Sequence, residues 1–408
     1  MAKTHILGFP RIGEKRELKF ALESFWRGEA DSAYLSDLGH QLRQRHWSFQ
    51  RKAGLDMVAA GDFALYDQML NQTVLLGALP KRFGFDAKTL TLEQYSQLAR
   101  GNKTQHAMEM TKWFDTNYHY LVPELSPDTR FDGGVEWFPD DVLEAMATGA
   151  KVKPVLIGPV TYLWLSKTHV AGFDRLSLLP SLLIAYQRIL EQLTGLGVEW
   201  VQVDEPALCL ELPSAWINAF DDAYVALRDS GVKLLLAMYF DDAGEHAERV
   251  CQLPVSGVHI DAVRAPQQVD AWRCHLSKDA VLSVGIIDGR NIWRTDLRRT
   301  LNILRPLHEA LGDRLWIAPS CSLLHVPVSL NAESQLDAEI KNWLAFATEK
   351  LSELNTLARA LNTGDAAVVL ELAESDAAQA SRRQCVRVTN DLVQKRLAAL
   401  TDAMAERA

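Results

Sequence analysis

Three features of the 408-residue sequence predict an α/β fold of the (β/α)8 TIM-barrel type. Short apolar or β-branched runs alternate with longer stretches of helical period, the pattern of parallel strands joined by crossover helices rather than of an antiparallel sandwich. Eight such runs occur, and an open sheet of eight parallel strands would leave two edges to protect, so closure into a barrel is expected. Most runs also end in polar or turn residues, which a barrel gathers at one mouth.

In order, the runs are His5–Phe9, Met57–Phe63, Val152–Gly158, Glu199–Asp204, Lys233–Phe240, Gly257–Asp261, Val281–Asp288 and Leu315–Ser320. At or just past their ends stand Arg11, Asp62, Asp204, Glu205, Tyr239, His259, Asp261, Asp288 and Cys321. Gly, Pro and Asp punctuate turns in any fold, but His, Cys, Glu and Arg are not turn formers. About ninety residues separate the second and third runs, so residues 64–150 are expected to be an elaborated insertion after the second strand. Within it, Met110–Leu125 (MTKWFDTNYHYLVPEL) has the aromatic density of an ordered pad near the mouth. After the eighth run, Asp337–Asn362 reads as one long amphipathic helix and Asp376–Ala408 as a tail of helical period. The expected organisation is a barrel over residues 1–330 and a C-terminal helical extension with a linker-like tail over 331–408.

Composition removes several classes of function. At 48% hydrophobic and 23% charged, with 15 Pro and 23 Gly, the chain has the material for a large core and is neither disordered nor fibrous. Lys plus Arg total 43 against 52 Asp plus Glu, a net charge of −9 with no dense basic segment, so no nucleic-acid partner is expected. A small basic pocket for an anionic ligand remains compatible with that balance. Five cysteines, odd in number and never spaced as C-x-x-C, write neither a disulfide framework nor a zinc ribbon and fit a reducing cytoplasm. Residues 1–25 lack the features of a signal peptide, and no apolar run approaches the roughly 18 residues of a membrane span, so a soluble chain without a membrane partner is expected.

Three clusters carry chemistry. In VQVDEPAL, Asp204 and Glu205 are adjacent at a strand end; neighbours on a strand point to opposite faces, so at most one enters the mouth and the other is expected to anchor an Arg or Lys. His259 and Asp261 share a strand face, and with Cys321 they offer imidazole, carboxylate and thiolate, the donor types of a zinc site, though the spacing is no recognisable motif. A satisfied histidine and an inert buried thiol are the expected reading. After the first run, Lys15, Arg16 and Lys19 introduce a helix start, which suits either an anion or a solvated charged face, and Lys112 lies among aromatics.

At these residues the chain resembles the N-terminal half of the cobalamin-independent methionine synthases. The likeness runs through LGFPRIGEKRELK, RHWSFQRKAGLDMVAAGDFALYD, MTKWFDTNYHYLVPE, VKPVLIGPVTYLWLSK, GVEWVQVDEPAL, VLSVGIIDGRNIWR and APSCSLLH. The resemblance implies two face-to-face barrels joined by a helical linker, of which this chain holds the first and stops in the linker. It implies a reaction in which a methyl group passes from 5-methyltetrahydropteroyl-polyglutamate to homocysteine, with the zinc and most homocysteine contacts on the second barrel. No catalytic residue and no bound zinc are then expected on this chain; its partners are the folate polyglutamate and a C-terminal barrel.

Carried over position by position, the resemblance assigns the polyglutamate tail to Lys15, Arg16, Glu17, Leu18 and Lys112. Position 15 is Lys where the family often has Arg, which keeps the charge but gives up bidentate carboxylate recognition. His259, Asp261 and Cys321 fall where the sister barrel holds its zinc, with one cysteine replaced by Asp, so they read as the relic of a metal site. Two other readings stand beside this one: a non-catalytic folate-binding or regulatory module, and an independent barrel hydrolase using Asp204 or Glu205.

Overall fold

The computed structural model describes residues 1–404. Among the described residues ten strands occur: β1 (Lys3–Thr4), β2 (Val58–Ala60), β3 (Met110–Lys112), β4 (His119–Leu121), β5 (Val152–Ile157), β6 (Trp200–Asp204), β7 (Lys233–Ala237), β8 (Gly257–Asp261), β9 (Val281–Ile287) and β10 (Leu315–Pro319). All but β3 and β4 form one parallel sheet in the order β1-β10-β9-β8-β7-β6-β5-β2. Its outer members, β1 and β2, are consecutive in sequence, and they meet: the Met57 N–H donates to the Thr4 carbonyl at 3.4 Å. Asp56 reinforces the join, its carboxylate accepting from the Thr4 N–H at 2.8 Å and hydroxyl at 3.0 Å. The sheet therefore curls into the expected barrel.

All eight expected strands form, but the first is displaced. The ladder covers Lys3–Thr4 rather than His5–Phe9, because the next backbone groups find other partners. Gln202 Nε2 donates to the Leu7 carbonyl, the Leu323 N–H to the Gly8 carbonyl, and the Phe9 N–H to Asp62. An apolar run shows burial, and burial does not distinguish a ladder bond from a side-chain bond.

Side chains fill the barrel in layers. Met57, Trp200, Leu235, Val281 and Trp316 make an apolar floor at the strands' N-terminal ends. Above it lies a polar layer of His5, Lys153, Gln202, His259 and Ser283, all fully buried. The Ser283 hydroxyl stands between His5 Nε2 (2.7 Å) and His259 Nδ1 (2.8 Å). Leu7, Ala237, Tyr239, Ala318 and Cys321 close the top.

Outside, helix Ser32–Lys52 buries Leu35, Gly39, Leu42, His46, Trp47 and Gln50, a stripe of helical period. It docks on the short β2 by polar contacts: Trp47 Nε1 donates to the Ala59 carbonyl (3.0 Å) and Gln50 Oε1 accepts the Ala59 N–H (2.9 Å). Burial, with the Arg45 charge beside it, pushes His46 down to about 3; its ring lies 5.0 Å from that of Phe9. The expected single helix over Asp337–Asn362 is two helices, Ala338–Asn342 and Ala347–Thr363. Between them Ala345 N–H bonds the Ile292 carbonyl and Arg294 N–H the Trp343 carbonyl, so an apolar segment of helical period is diverted into bridging contacts. The longer piece buries Leu351, Leu354 and Leu357, each stabilising by about 1.5–3 kcal/mol, and packs on β1, β10 and helix Leu297–Leu311. Asn362 ties it to the chain start through both polar groups of Ala2.

The insertion holds helices Gln68–Leu76, Leu92–Arg100 and Trp137–Ala147 and the β3–β4 hairpin, which the sequence reading did not anticipate. Leu70, Val74, Tyr95, Leu98, Met108 and Leu121 form its own core. Buried Asp67 joins helix to hairpin, accepting the Leu70 and Leu121 N–H groups.

Asp56→Ala removes two bonds at the barrel seam and is expected to cost about 1–2 kcal/mol, read as a lower urea midpoint at unchanged slope. For His46, the unfolded chain binds a proton below about 6.5 that the folded ring refuses until about 3, so its contribution to stability is lost as pH falls through that window. His46→Leu is expected to lose less stability than the parent between pH 6 and 4, by up to about 1.4 kcal/mol per pH unit in urea unfolding; parallel pH curves would show that the folded ring accepts the proton.

Candidate functional site

Strand β6 delivers Asp204 and Glu205 to opposite sides, as alternation requires. Asp204 faces the barrel interior, accepting from Gln202 Nε2 (2.6 Å) and the Tyr239 hydroxyl (3.0 Å). Gln202 in turn accepts from the Lys153 ammonium. Burial pushes the Asp204 carboxyl up and the Lys153 ammonium down, each opposed by the other's charge. Glu205 faces outward, and its anchor is not the Arg or Lys the sequence suggested. It accepts the N–H groups of Val160 (3.2 Å) and Thr161 (2.7 Å) at the start of helix Pro159–Leu165, and the Tyr224 hydroxyl (3.3 Å). The fit is close enough that a Cβ on Gly158 would stand 2.1 Å from the Glu205 carboxyl carbon. A hydrolytic acid/base pair needs both carboxyls on one open space, and these two flank a strand.

His259, Asp261 and Cys321 are all buried at the strand ends, but each is already engaged. Both His259 nitrogens lie against oxygens, Ser283 Oγ and the Ser320 carbonyl, and burial pushes the ring down to about 3. The Asp261 oxygens accept three backbone N–H groups, from Phe240, Val263 and Arg264. Burial and the nearby Asp261 charge push the Cys321 thiol far up, and its Sγ donates to the Ser322 carbonyl at 3.6 Å. The donor types would suit zinc; their commitments do not. Among the described residues, no three His, Cys, Asp or Glu side chains converge to hold a metal ion.

The tip of the β3–β4 hairpin covers this mouth. Phe114 and Phe240 both take left-handed backbone angles (φ 48° and 85°), and their rings meet at 5.8 Å. The Arg290 guanidinium lies over Phe240 at 5.0 Å and reaches Asp115 at the tip, bonding its carbonyl with its carboxylate 3.6 Å away. His325 packs against Phe240 (5.7 Å) and Tyr118 (6.3 Å). The sequence showed the aromatic density of this segment; that it caps the mouth depends on contacts with residues more than a hundred positions away.

The cations lie on the rim outside this cap. Lys15 and Arg16 are exposed in the turn before helix Glu17–Trp26, and Lys112 is exposed on β3. Among the described residues, none of their three charged groups has a hydrogen bond or ion pair. Glu17 and Leu18 behave differently: Leu18 is wholly buried, and the Glu17 carboxylate is bonded to the Lys15 N–H (2.9 Å) and to Arg45 (2.7 Å). The loop after β2 links turn and hairpin. Arg11 donates to its Ala64 and Leu65 carbonyls, Gln68 N–H reaches the Tyr118 hydroxyl, and Tyr66 lies 6.3 Å from Trp26 at the end of the same helix. The sequence reading placed Arg11 at a strand end but did not single out Arg45, since only its contacts distinguish it from other surface arginines.

Comparison with known proteins agrees with this architecture. Residues 3–312 match the family model described as cobalamin-independent synthase, N-terminal domain. A 5-methyltetrahydropteroyltriglutamate–homocysteine methyltransferase of Paraburkholderia phytofirmans is 65% identical over 407 residues, covering 100% of this chain and 53% of the relative. The enzyme of the same description from Ralstonia pickettii is 58% identical over 412 residues, with 100% and 53% covered. The chain spans about half the length of the curated relatives it matches. A vitamin-B12-independent methionine synthase of Shewanella sp. W3-18-1, solved with selenomethionine, superposes with a TM-score of 0.55 at 16% identity over 85% of this chain and 92% of that one. A Listeria monocytogenes protein described in the same terms gives 0.59 at 15% identity, with 89% and 98% covered. The last two likenesses show the fold, and the family match with the first two shows the lineage: the chain belongs to the cobalamin-independent methionine synthase family and carries its N-terminal domain.

Proposed function

We propose that this chain is the folate-polyglutamate-binding half of a methionine synthase, holding the anionic tail of 5-methyltetrahydropteroyltriglutamate while a C-terminal barrel performs methyl transfer to homocysteine. One observation carries the reading: Lys15, Arg16 and Lys112 stand exposed and uncommitted on the rim, while the mouth beneath the hairpin is packed and its carboxylates are engaged. The relatives' descriptions as 5-methyltetrahydropteroyltriglutamate–homocysteine methyltransferases suggest the substrates, a triglutamate folate and homocysteine. A γ-linked glutamate chain offers a carboxylate at each residue, and exposed lysines and arginines recognise such groups by charge. Leu18 has no side chain to offer from its buried place, and Glu17 repels carboxylates, so in this reading both shape the turn rather than touch the ligand.

Zinc belongs to the reaction on ligands outside this chain, where its bound form would lower the pKa of the homocysteine thiol to give the nucleophile. Five free cysteines accord with a reducing cytoplasm as the site of action. Among the described residues, no helix is long and apolar enough to cross a membrane. The hydrolase reading loses its footing with Asp204 and Glu205 on opposite sides of β6. A regulatory folate-binding module shares the rim cations and differs only in having no catalytic partner.

Isothermal titration with 5-methyltetrahydropteroyltriglutamate is expected to show binding that weakens with salt and drops about fivefold or more in Arg16→Ala and in Lys112→Ala. Binding indifferent to salt and to both substitutions would remove the rim from consideration. Alone, the chain is expected to transfer no methyl group, and adding a purified C-terminal half of a relative is expected to restore transfer. Turnover by the isolated chain would overturn the reading, and binding without restoration would favour the regulatory module.

A further inference from the structure

We propose that Arg45 is a positioning residue for the rim site: through its bond to Glu17 it sets the turn that presents Lys15 and Arg16, and it offsets the Glu17 charge beside them. The inference rests on the polyglutamate reading above and concerns a residue on a different helix, 29 positions from Arg16 in sequence.

The turn is held in a conformation that a chain does not choose unaided. Gly13 has φ +82°, and Arg16, at the start of helix Glu17–Trp26, has φ 61° and ψ 33°, a left-handed geometry that a side chain other than glycine adopts only when its surroundings impose it. Three backbone bonds contribute: Arg16 N–H to the Gly13 carbonyl, Leu18 N–H to the Ile12 carbonyl and Phe20 N–H to the Arg16 carbonyl, each 3.2 Å. The remaining restraint is the Glu17 carboxylate. One oxygen accepts the Lys15 N–H at 2.9 Å, folding the side chain back over the turn, and the other accepts Arg45 Nη2 at 2.7 Å.

No space is left between these groups. A Cβ at Gly13 would stand 2.2 Å from Glu17 Oε2 and 3.1 Å from Arg45 Nη2, so the turn is packed directly against the carboxylate–guanidinium pair. Arg45 itself is fixed from helix Ser32–Lys52, with only about a third of its side chain exposed. Partial burial would raise the Glu17 carboxyl, but the bonds from its own N–H, Arg45 and Lys15 outweigh it and hold the group below the usual carboxylate range. Glu17 is thus ionised next to a site intended for anions. Without Arg45 its charge would face an incoming carboxylate uncompensated, and the side chain would be free to leave the Lys15 N–H for Lys15 or Arg16 themselves.

The test is calorimetric titration of 5-methyltetrahydropteroyltriglutamate onto the full chain, comparing the parent with Arg45→Ala, the Glu17→Gln/Arg45→Ala double variant and Lys112→Ala. Arg45→Ala is expected to weaken binding about fivefold or more. The double variant is expected to recover most of that loss, because the glutamine oxygen still accepts the Lys15 N–H while the uncompensated charge is gone. Arg45→Gln, uncharged and nearer in length, replaces Arg45→Ala in both arms if the alanine variant does not fold. A double variant no better than the single one overturns the proposal, since Arg45 would then act without Glu17. So does parent-like affinity in Arg45→Ala when Lys112→Ala binds weakly, a result that leaves the polyglutamate reading standing. Absence of binding by the parent chain overturns that reading and this proposal with it.

Discussion

A parallel sheet of eight strands is stable as a barrel only if its first and last members find each other, and here that requirement falls on two short strands, Lys3–Thr4 and Val58–Ala60. The seam between them has one backbone–backbone bond, Met57 to Thr4, and is completed by Asp56, whose carboxylate accepts from the Thr4 N–H and hydroxyl and whose N–H donates to that hydroxyl. The surrounding elements reinforce the same weak edge. Trp47 and Gln50 bond the backbone of β2 from helix Ser32–Lys52, and Asn362 bonds Ala2 from helix Ala347–Thr363. Once the seam holds, all eight strand ends are forced to one side, and every question about the mouth follows from that convergence.

What converges there is polar but closed to solvent. Lys153, Gln202, Asp204 and Tyr239 form one bonded chain, and His5, Ser283 and His259 another. Buried polar groups tolerate the interior when their bonding capacity is used, and using it removes the capacity for other ligands; in these two chains His5 Nδ1 is the buried atom left without a partner. The aromatic hairpin tip seals the same space from above. Such an interior serves structure, and it leaves Lys15, Arg16 and Lys112 on the exposed rim as the uncommitted cations on which the proposed polyglutamate reading rests. The rim turn is braced from the neighbouring helix, whose Arg45 bonds the Glu17 carboxylate that accepts the Lys15 N–H.

Recurrence of apolar runs made the barrel legible, because strand period and crossover spacing are local properties of the chain. The same reasoning placed the first strand a few residues late and fused two helices around Trp343–Phe346. In both places buried apolar residues exchange regular backbone bonding for contacts with distant groups. The hairpin at Met110–Leu121 read as an aromatic pad: its strands are three residues each, too short for alternation to show. Opposite faces for Asp204 and Glu205 followed from strand geometry, but the partner of Glu205 did not, since a helix start and a tyrosine leave no charge signature to search for.

By itself the sequence determined the fold class, the eight strands, the inserted segment and the family to which the chain belongs, because these reside in local periodicity and in stretches of contiguous residues. Only the tertiary structure decided that His259, Asp261 and Cys321 are spent on internal bonds, that the hairpin caps the mouth, and that Glu17 turns toward Arg45 while Lys15, Arg16 and Lys112 remain uncommitted. Whether a titratable side chain is available for chemistry depends on which groups fold against it. Some of those groups are near neighbours, as Val263 and Arg264 are to Asp261, but others lie tens of residues or more away, as Ser320 does from His259 and Arg45 from Glu17, at distances no local pattern encodes.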